Sequence, residues 1–352
     1  MSNYYDGTKL LSLMDINGEQ PEIYLCTTNR TGGKTTYFGR YVVNKYLRGE
    51  GKFCLIYRYT YELDGVADKF FKDLETLFFN GYRMNSKVQN KGAFTELFIA
   101  RPSSPDNYES CGYAISLNKA DAIKKNSHLL SDVERMVFDE FQSETNTYLK
   151  DEVSKLISIH TSIARGQGKQ YRRVPLFMLS NTVSILNPYY TALGITKRLK
   201  SDTKFLRGEG FVLEQGYVES ASLAQRQGAF NRAFSGDKYM DYATQNVYLN
   251  DNTAFIETPT GKNRYVLTIR YQGKDYAIRE YIDSGYMYCD DKPDATFRTK
   301  IAVTTDDHNV NYSLLQVYGF FIKELRDRFD NGNFRFKDLM CKEAVLTLLS
   351  YN

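Results

Sequence analysis

A short apolar run, Ile23–Thr27, meets a polar, glycine-containing loop and then a helical pattern from about Thr35 to Leu47. This junction limits the possible folds more than any other stretch. A strand that delivers the chain to a helix N-terminus through glycines, where backbone N–H groups lie open, is the architecture of a phosphate loop. The loop reads Thr28-Asn29-Arg30-Thr31-Gly32-Gly33-Lys34-Thr35, with Thr36 next. Against GxxxxGK[ST], Gly33, Lys34 and Thr35 match, and Thr28 stands where the first glycine belongs. Loop amides would hold phosphate oxygens, Lys34 would neutralise charge on the β- and γ-phosphates, and the Thr35 hydroxyl would ligate Mg²⁺. The departure at Thr28 leaves an ordinary glycine-rich turn as the alternative on this motif alone.

Further along, strand-like and helix-like segments alternate, which is the pattern of an α/β domain with a largely parallel sheet. Phe53–Arg58 reads as a buried strand, Asp64–Phe79 as a helix and 80–117 as hairpins. Met136–Phe141 is another strand, Tyr148–Ile163 a helix and Val174–Leu179 a strand. The strand MVFDEF ends in Asp139 and Glu140, and two adjacent acids leaving an apolar run are costly unless a metal or a reaction uses them. Asp139 is the candidate to hold Mg²⁺ through water, and Glu140 to orient and polarise an attacking water. The bland reading is a strand end turning into solvent. Asn181, at the tip of VPLFMLSN, is placed to sense a γ-phosphate or simply to form a turn. Arg165 follows the helix SKLISIHTSIA, where it either reaches a neighbouring subunit's nucleotide or caps a helix C-terminus in solvent.

Past residue 205 the texture changes. Ser220–Phe234 reads as a helical connector, 253–289 as a β-meander beginning with TAFIET, and Tyr312–Phe329 and Phe336–Leu349 as closing helices. Strands in a run followed by helices indicate a separate α+β domain. Composition then removes several function classes. Five scattered cysteines without a CxxC pair argue against a disulfide framework or zinc cluster and for a reducing compartment. Three histidines make a His-rich metal site unexpected, and no run approaches the length of a membrane span. The net charge is only +4, yet residues 165–208 carry Arg165, Lys169, Arg172, Arg173, Lys197, Arg198, Lys200, Lys204 and Arg207 against a single acid, Asp202. Such a stretch suits a polyanion, an acidic neighbouring subunit or plain solvent.

The order TNRTGGKTT, FCLIYRYTYEL, MVFDEF, Tyr148-Leu-x-x-Glu-Val-Ser, LSNTVSILNPYY and TTDD resembles the DNA-packaging ATPase of small φ29-type tailed phages. LSNTVSILNPYY is the most specific of these, because no general phosphate-loop rule demands it. The resemblance implies an ASCE-type P-loop ATPase domain with a mostly parallel sheet (1–205), a small linker domain (206–250) and an α+β RNase H-like C-terminal domain (251–352). It further implies a homomeric ring, expected to be pentameric, that is docked on the portal of an empty capsid and drives double-stranded DNA inward with ATP and Mg²⁺. The expected location is the host cytoplasm and, transiently, the portal vertex of the procapsid, but not the mature virion. A structural packaging RNA is a further candidate partner.

By motif position the resemblance assigns Lys34 and Thr35 to Walker A, and Asp139 and Glu140 to Walker B with the catalytic glutamate. Asn181 falls on the sensor-like motif, Arg165 on the trans-acting finger, and Arg58 on an arginine that contacts nucleotide or holds Glu140 inactive. Thr28 and Thr31 replace family glycines. Glu257, Asp283, Asp290, Asp291, Asp306 and Asp307 keep a two-metal nuclease open as an alternative, although φ29-type proteins package unit-length genomes without cutting. The C-terminal basic residues Arg264, Arg270, Lys274 and Arg279 would then face DNA non-specifically. A structural DNA-binding capsid-vertex protein with an inactive phosphate loop is the non-enzymatic alternative.

Overall fold

In a computed structural model the chain forms two compact units, Met1–Asn250 and Asp251–Asn352. The structure describes residues 4–165, 168–196, 198–199, 203–234, 237, 239, 242–243, 248, 251, 253–314 and 319–350.

The first unit is built on a nine-stranded sheet. Its strands are β1 (Ile23–Thr28), β2 (Lys52–Tyr57), β3 (Arg83–Gln89), β4 (Phe94–Arg101), β5 (Ser104–Ser116), β6 (Val133–Asp139), β7 (Leu176–Asn181), β8 (Phe205–Gly208) and β9 (Phe211–Gln215), in the order β3-β4-β5-β2-β6-β7-β1-β9-β8. The six central strands, β5 to β9 in that order, run parallel, while β3–β4–β5 and β8–β9 add antiparallel margins. Parallel strands are buried on both faces, which explains why they read as unbroken apolar runs. Alternation along each strand feeds two cores. Leu25, Ile56, Phe138 and Met178 pack with Leu156, Ile159 and Ile163 of the helix Glu152–Ala164. Tyr24, Cys26, Phe53, Val137 and Phe177 pack on the other side with Phe38, Val42 and Val43 of the helix Lys34–Leu47 and with Phe71 and Leu74 of the helix Val66–Phe78.

Two sequence expectations change here. The linker domain expected over 206–250 does not open at 206, because β8 and β9 complete the first sheet and β9 pairs in parallel with β1 from Ile23↔Phe211 to Thr27↔Gln215. The helix expected from Tyr148 begins only at Glu152, after Asp151 adopts a left-handed backbone (φ +54).

The second unit has six strands: β10 (Asn263–Tyr271), β11 (Lys274–Tyr281), β12 (Tyr286–Asp290), β13 (Lys300–Ala302), β14 (Ser313–Leu314) and β15 (Phe334–Phe336). Their order is β14-β13-β10-β11-β12-β15. The antiparallel meander β10–β11–β12 is extended in parallel by β13 and β14 on one side, the RNase H-like arrangement, and by β15 on the other. TAFIET is not a strand: Phe255 has φ +66 and Ile256 makes only an isolated bridge to Phe336. The closing helices are Gly319–Asp330 and Leu339–Ser350. The first begins later than expected because Tyr312 sits in a bridge with Asn309 and Ser313 in β14; residues 315–318 lie outside the described set.

Candidate functional site: the phosphate loop and its carboxylates

Three adjacent strands, β1, β7 and β6, end side by side, so Thr28 pairs with Asn181 and Asp139 with Leu179. The strand tips therefore carry the phosphate loop, Asn181 and the acidic pair to one edge of the sheet. Gly33 occupies the N-cap of the helix Lys34–Leu47 with φ +89, a conformation that disfavours any side chain. At Gly32 a Cβ would stand 3.0 Å from Val218 Cγ2 and 3.1 Å from Thr28 Oγ1. Thr28 needs no glycine because it is the extended last residue of β1. Its methyl has room because Gly216 lies opposite, where a Cβ would come within 3.1 Å. Thr31 does adopt the left-handed region (φ +58), which costs roughly 1–2 kcal/mol for a residue with a side chain. Asn29 anchors the loop: its amide donates to the Val218 carbonyl (3.1 Å) and its Oδ1 accepts from the Val218 N–H (2.9 Å).

The buried Lys34 donates from Nζ to Asn181 Oδ1 at 2.7 Å. Burial pulls the Lys34 ammonium below its ordinary value, and the Asp139 charge opposes that. Thr35 and Asp139 face the same two clefts. Burial pushes the Asp139 carboxyl up, with Lys34 and Thr35 pulling it back. Glu140 is exposed and has φ +54, a left-handed backbone that is uncommon outside glycine and is found at functional sites. Its carboxyl is pushed up by desolvation and then by the charge of Asp139. Two clefts meet here. One, of about 430 Å³, is lined by Arg30, Lys34, Asn181, Gln225 and Phe230, the other by Tyr57, Glu62, Lys69 and Asp73, and both include Thr35, Asp139 and Glu140.

Arg58 does not touch the Glu140 carboxylate and lines neither cleft. It is buried against Glu152, with Nε 3.1 and 3.0 Å from the two carboxylate oxygens and Nη2 3.0 Å from Oε1. It also donates to the carbonyls of Glu140 (3.2 Å) and Phe141 (2.8 Å), which makes it a positioning residue for the acidic turn. Arg165 is exposed at the C-terminal end of the helix Glu152–Ala164, about 20 Å along that helix from Glu152.

Four residues of this neighbourhood have no role assigned from sequence, although Glu152 and Asn187 stand within Tyr148-Leu-x-x-Glu-Val-Ser and LSNTVSILNPYY. Glu152 also takes the Tyr189 hydroxyl (2.7 Å). Gln142 Oε1 accepts from the N–H groups of Val183 and Ser184 (3.1 and 2.9 Å). Asn187 caps the short helix Pro188–Ala192 through Tyr190 N–H (2.9 Å). Glu144 pairs with Arg30 (2.9 Å). The first three explain LSNTVSILNPYY physically, since that stretch clamps the turn after β6. Only its unusual composition could have signalled this.

The basic stretch is partly structural. The buried Arg172 donates to the Val133 and Ile163 carbonyls, while Arg173 donates to that of Pro21 and Arg198 to that of Arg207 from the surface; Arg165, Lys169, Lys204 and Arg207 are also exposed. Lys197, Lys200 and Asp202 lie outside the described residues. In the second unit Arg264, Arg270 and Arg279 pair with Glu280, Asp275 and Asp290, which lowers the positive charge expected there. Asp291 pairs with Lys337, Glu257 with Arg335, and Asp307 holds the N–H groups of Gln272 and Gly273. Among the described residues no three His, Cys, Asp or Glu converge as a metal group, and no helix is long and apolar enough to cross a membrane. All five cysteines are buried free thiols.

With β7 inserted between the loop strand and the acidic strand, the sheet order and the loop define an ASCE-type P-loop ATPase fold. The sequence profile of the podovirus DNA encapsidation proteins (Gp16) matches residues 1–350, and the chain belongs to that family. It is 25% identical over 320 residues to the DNA packaging protein of Bacillus phage phi29, covering 90% of each chain. It is 23% identical over 314 residues to that of Bacillus phage B103, covering 88% of this chain and 91% of the relative. A chain of the bacteriophage Phi-29 viral genome packaging motor assembly shares the fold, with a TM-score of 0.71 and 24% identity over 99% of this chain and 100% of that one. The Phi-28 gp11 DNA packaging motor shares it at a TM-score of 0.62 and 18% identity over 100% and 99%.

Proposed function

We propose that this encapsidation protein is the ATP-hydrolysing subunit of a homomeric ring, pentameric by family analogy. Docked on the portal of a preformed capsid, the ring translocates double-stranded DNA inward. Its setting is the host cytoplasm and then the portal vertex, with a structural packaging RNA as a candidate accessory. The observation that carries the reading is the convergence of Lys34, Thr35, Asp139, Glu140 and Asn181 on one cleft at the sheet edge, with Lys34 bonded to Asn181.

These residues fit a nucleoside triphosphate with its cation. The loop amides from Asn29 to Thr36 and the Lys34 ammonium suit phosphate oxygens. The Thr35 hydroxyl and the Asp139 carboxylate form an oxygen-donor pair suited to Mg²⁺, which when bound neutralises developing phosphate charge. Glu140 holds the attacking water and takes its proton, and its raised pKa makes it a better base. Asn181 reads the terminal phosphate beside Lys34. Arg58 and Glu152 fix the turn that aims Glu140. Arg165, at the opposite end of its helix from Glu152 and absent from the lining of both clefts, completes a neighbour's site in the ring. Grip on DNA must be independent of sequence, so it falls on backbone phosphates and weakens steeply with salt.

The test is ATP turnover with and without double-stranded DNA, beside Lys34→Ala and Glu140→Gln. Lys34→Ala should lose nucleotide binding. Glu140→Gln should bind nucleotide and turn over at least about a hundredfold slower, the usual contribution of a positioned base. A Glu140→Gln protein that hydrolyses ATP at the wild-type rate would remove the catalytic core of this reading.

A further inference from the structure

Glu144 lies four residues beyond Glu140, on the turn that leaves β6, and one of its oxygens gathers donors from three separate elements. Oε1 accepts from Arg30 Nη2 of the phosphate loop at 2.9 Å and from the hydroxyl of the buried Tyr242 at 2.8 Å. It lies 3.4 Å from Asn181 Nδ2 at the tip of β7. Asn181 uses its other amide atom, Oδ1, to hold Lys34. Arg30 also donates to the Tyr239 hydroxyl and covers that ring at 5.4 Å, and the Tyr239 and Tyr242 rings are 5.4 Å apart. Arg30, Lys34, Asn181 and Tyr239 all line the same cleft. A carboxylate and a phosphate are interchangeable acceptors for a guanidinium and an amide. An incoming terminal phosphate would therefore compete with Glu144 for both.

We propose that Glu144 is a positioning residue that stands in for the terminal phosphate of the nucleotide. It holds Arg30 and Asn181 ready while that phosphate is absent and transmits its arrival to Tyr242. This rests on the nucleotide-site reading above. A triphosphate draws Arg30 and Asn181 off Glu144 and leaves Tyr242 as the remaining member of the three. A diphosphate, lacking the terminal group, leaves the set intact. The device thus distinguishes the two nucleotides before any bond is broken.

The test measures affinity for a non-hydrolysable ATP analogue and for ADP, together with amide exchange in the peptide containing Tyr242. Glu144→Gln removes the competing charge and should tighten the triphosphate roughly fivefold, the size of a partly exposed ion pair, while ADP moves less than twofold. In the wild type, exchange around Tyr242 should be faster with the triphosphate than with ADP, and Tyr242→Phe should abolish that difference. Equal shifts for both nucleotides in Glu144→Gln, or no shift, would overturn the inference. So would identical wild-type exchange in the two nucleotide states, which can be read even if Glu144→Gln fails to fold. A wild type that binds neither nucleotide, and does not differ from Lys34→Ala, would instead fail the nucleotide-site reading and take this inference with it.

Discussion

At the scale of single residues, the chemistry depends on side chains that hold others in place. Glu140 keeps an unfavourable backbone because Arg58 grips the carbonyls of Glu140 and Phe141 while Glu152 holds Arg58. Removing one partner of a buried ion pair strands the other. Arg58→Ala should therefore cost about 3–5 kcal/mol in denaturant unfolding and lower ATP turnover as well. Arg58→Lys should rescue little, since an ammonium cannot reproduce the forked contact. The two carboxylates also set pH dependence. Burial raises Asp139 above the ordinary 3.8, so above that pH the folded state keeps a proton that the unfolded chain has lost. Its contribution to stability therefore falls as pH rises through that window, until the folded carboxyl ionises. Glu140 is raised above the ordinary 4.5, so the acid limb of the turnover rate should lie above 4.5, measurable as a pH–rate profile. Lys34, Thr35 and the acidic pair were legible in the sequence because their spacing is dictated by ligand chemistry. Glu144 and Glu152 were not, because an acid's partner is set by the fold.

At the scale of elements, the central strands and long helices follow from periodicity. Continuous apolar runs mark strands buried on both faces, and the helix Val66–Phe78 places Phe71 and Leu74 on one side. What periodicity did not show is equally physical. β8 and β9 have four and five residues, and β13 to β15 two or three. Segments this short are strands only because a distant neighbour supplies hydrogen bonds, as β1 does for β9. Close approach within the sheet gives a direct check. A Cβ on Gly112 of β5 would sit 2.4 Å from the Phe53 carbonyl oxygen of β2. Gly112→Ala should push those strands apart and lower stability by about 1–3 kcal/mol, read as an earlier unfolding midpoint.

At the scale of the molecule, the two units have separate sheets and separate cores. Residues 251–352 expressed alone should unfold cooperatively, and the full chain should show two calorimetric transitions, the nucleotide analogue raising only that of the first unit. A single transition shifted as a whole would show that the units unfold together. By itself the sequence determined the class of fold, the loop, the acidic pair, Asn181 and the change of texture after the first domain. Local periodicity and the reach of a phosphate-binding backbone leave their marks on neighbouring residues. Only the tertiary structure decided that residues 205–215 belong to the first sheet, that Arg58 is held by Glu152 and by the carbonyls of the acidic turn, and that Glu144 joins three elements. Those outcomes depend on contacts between residues from 37 to 188 positions apart, which burial and strand order bring together and no local pattern encodes.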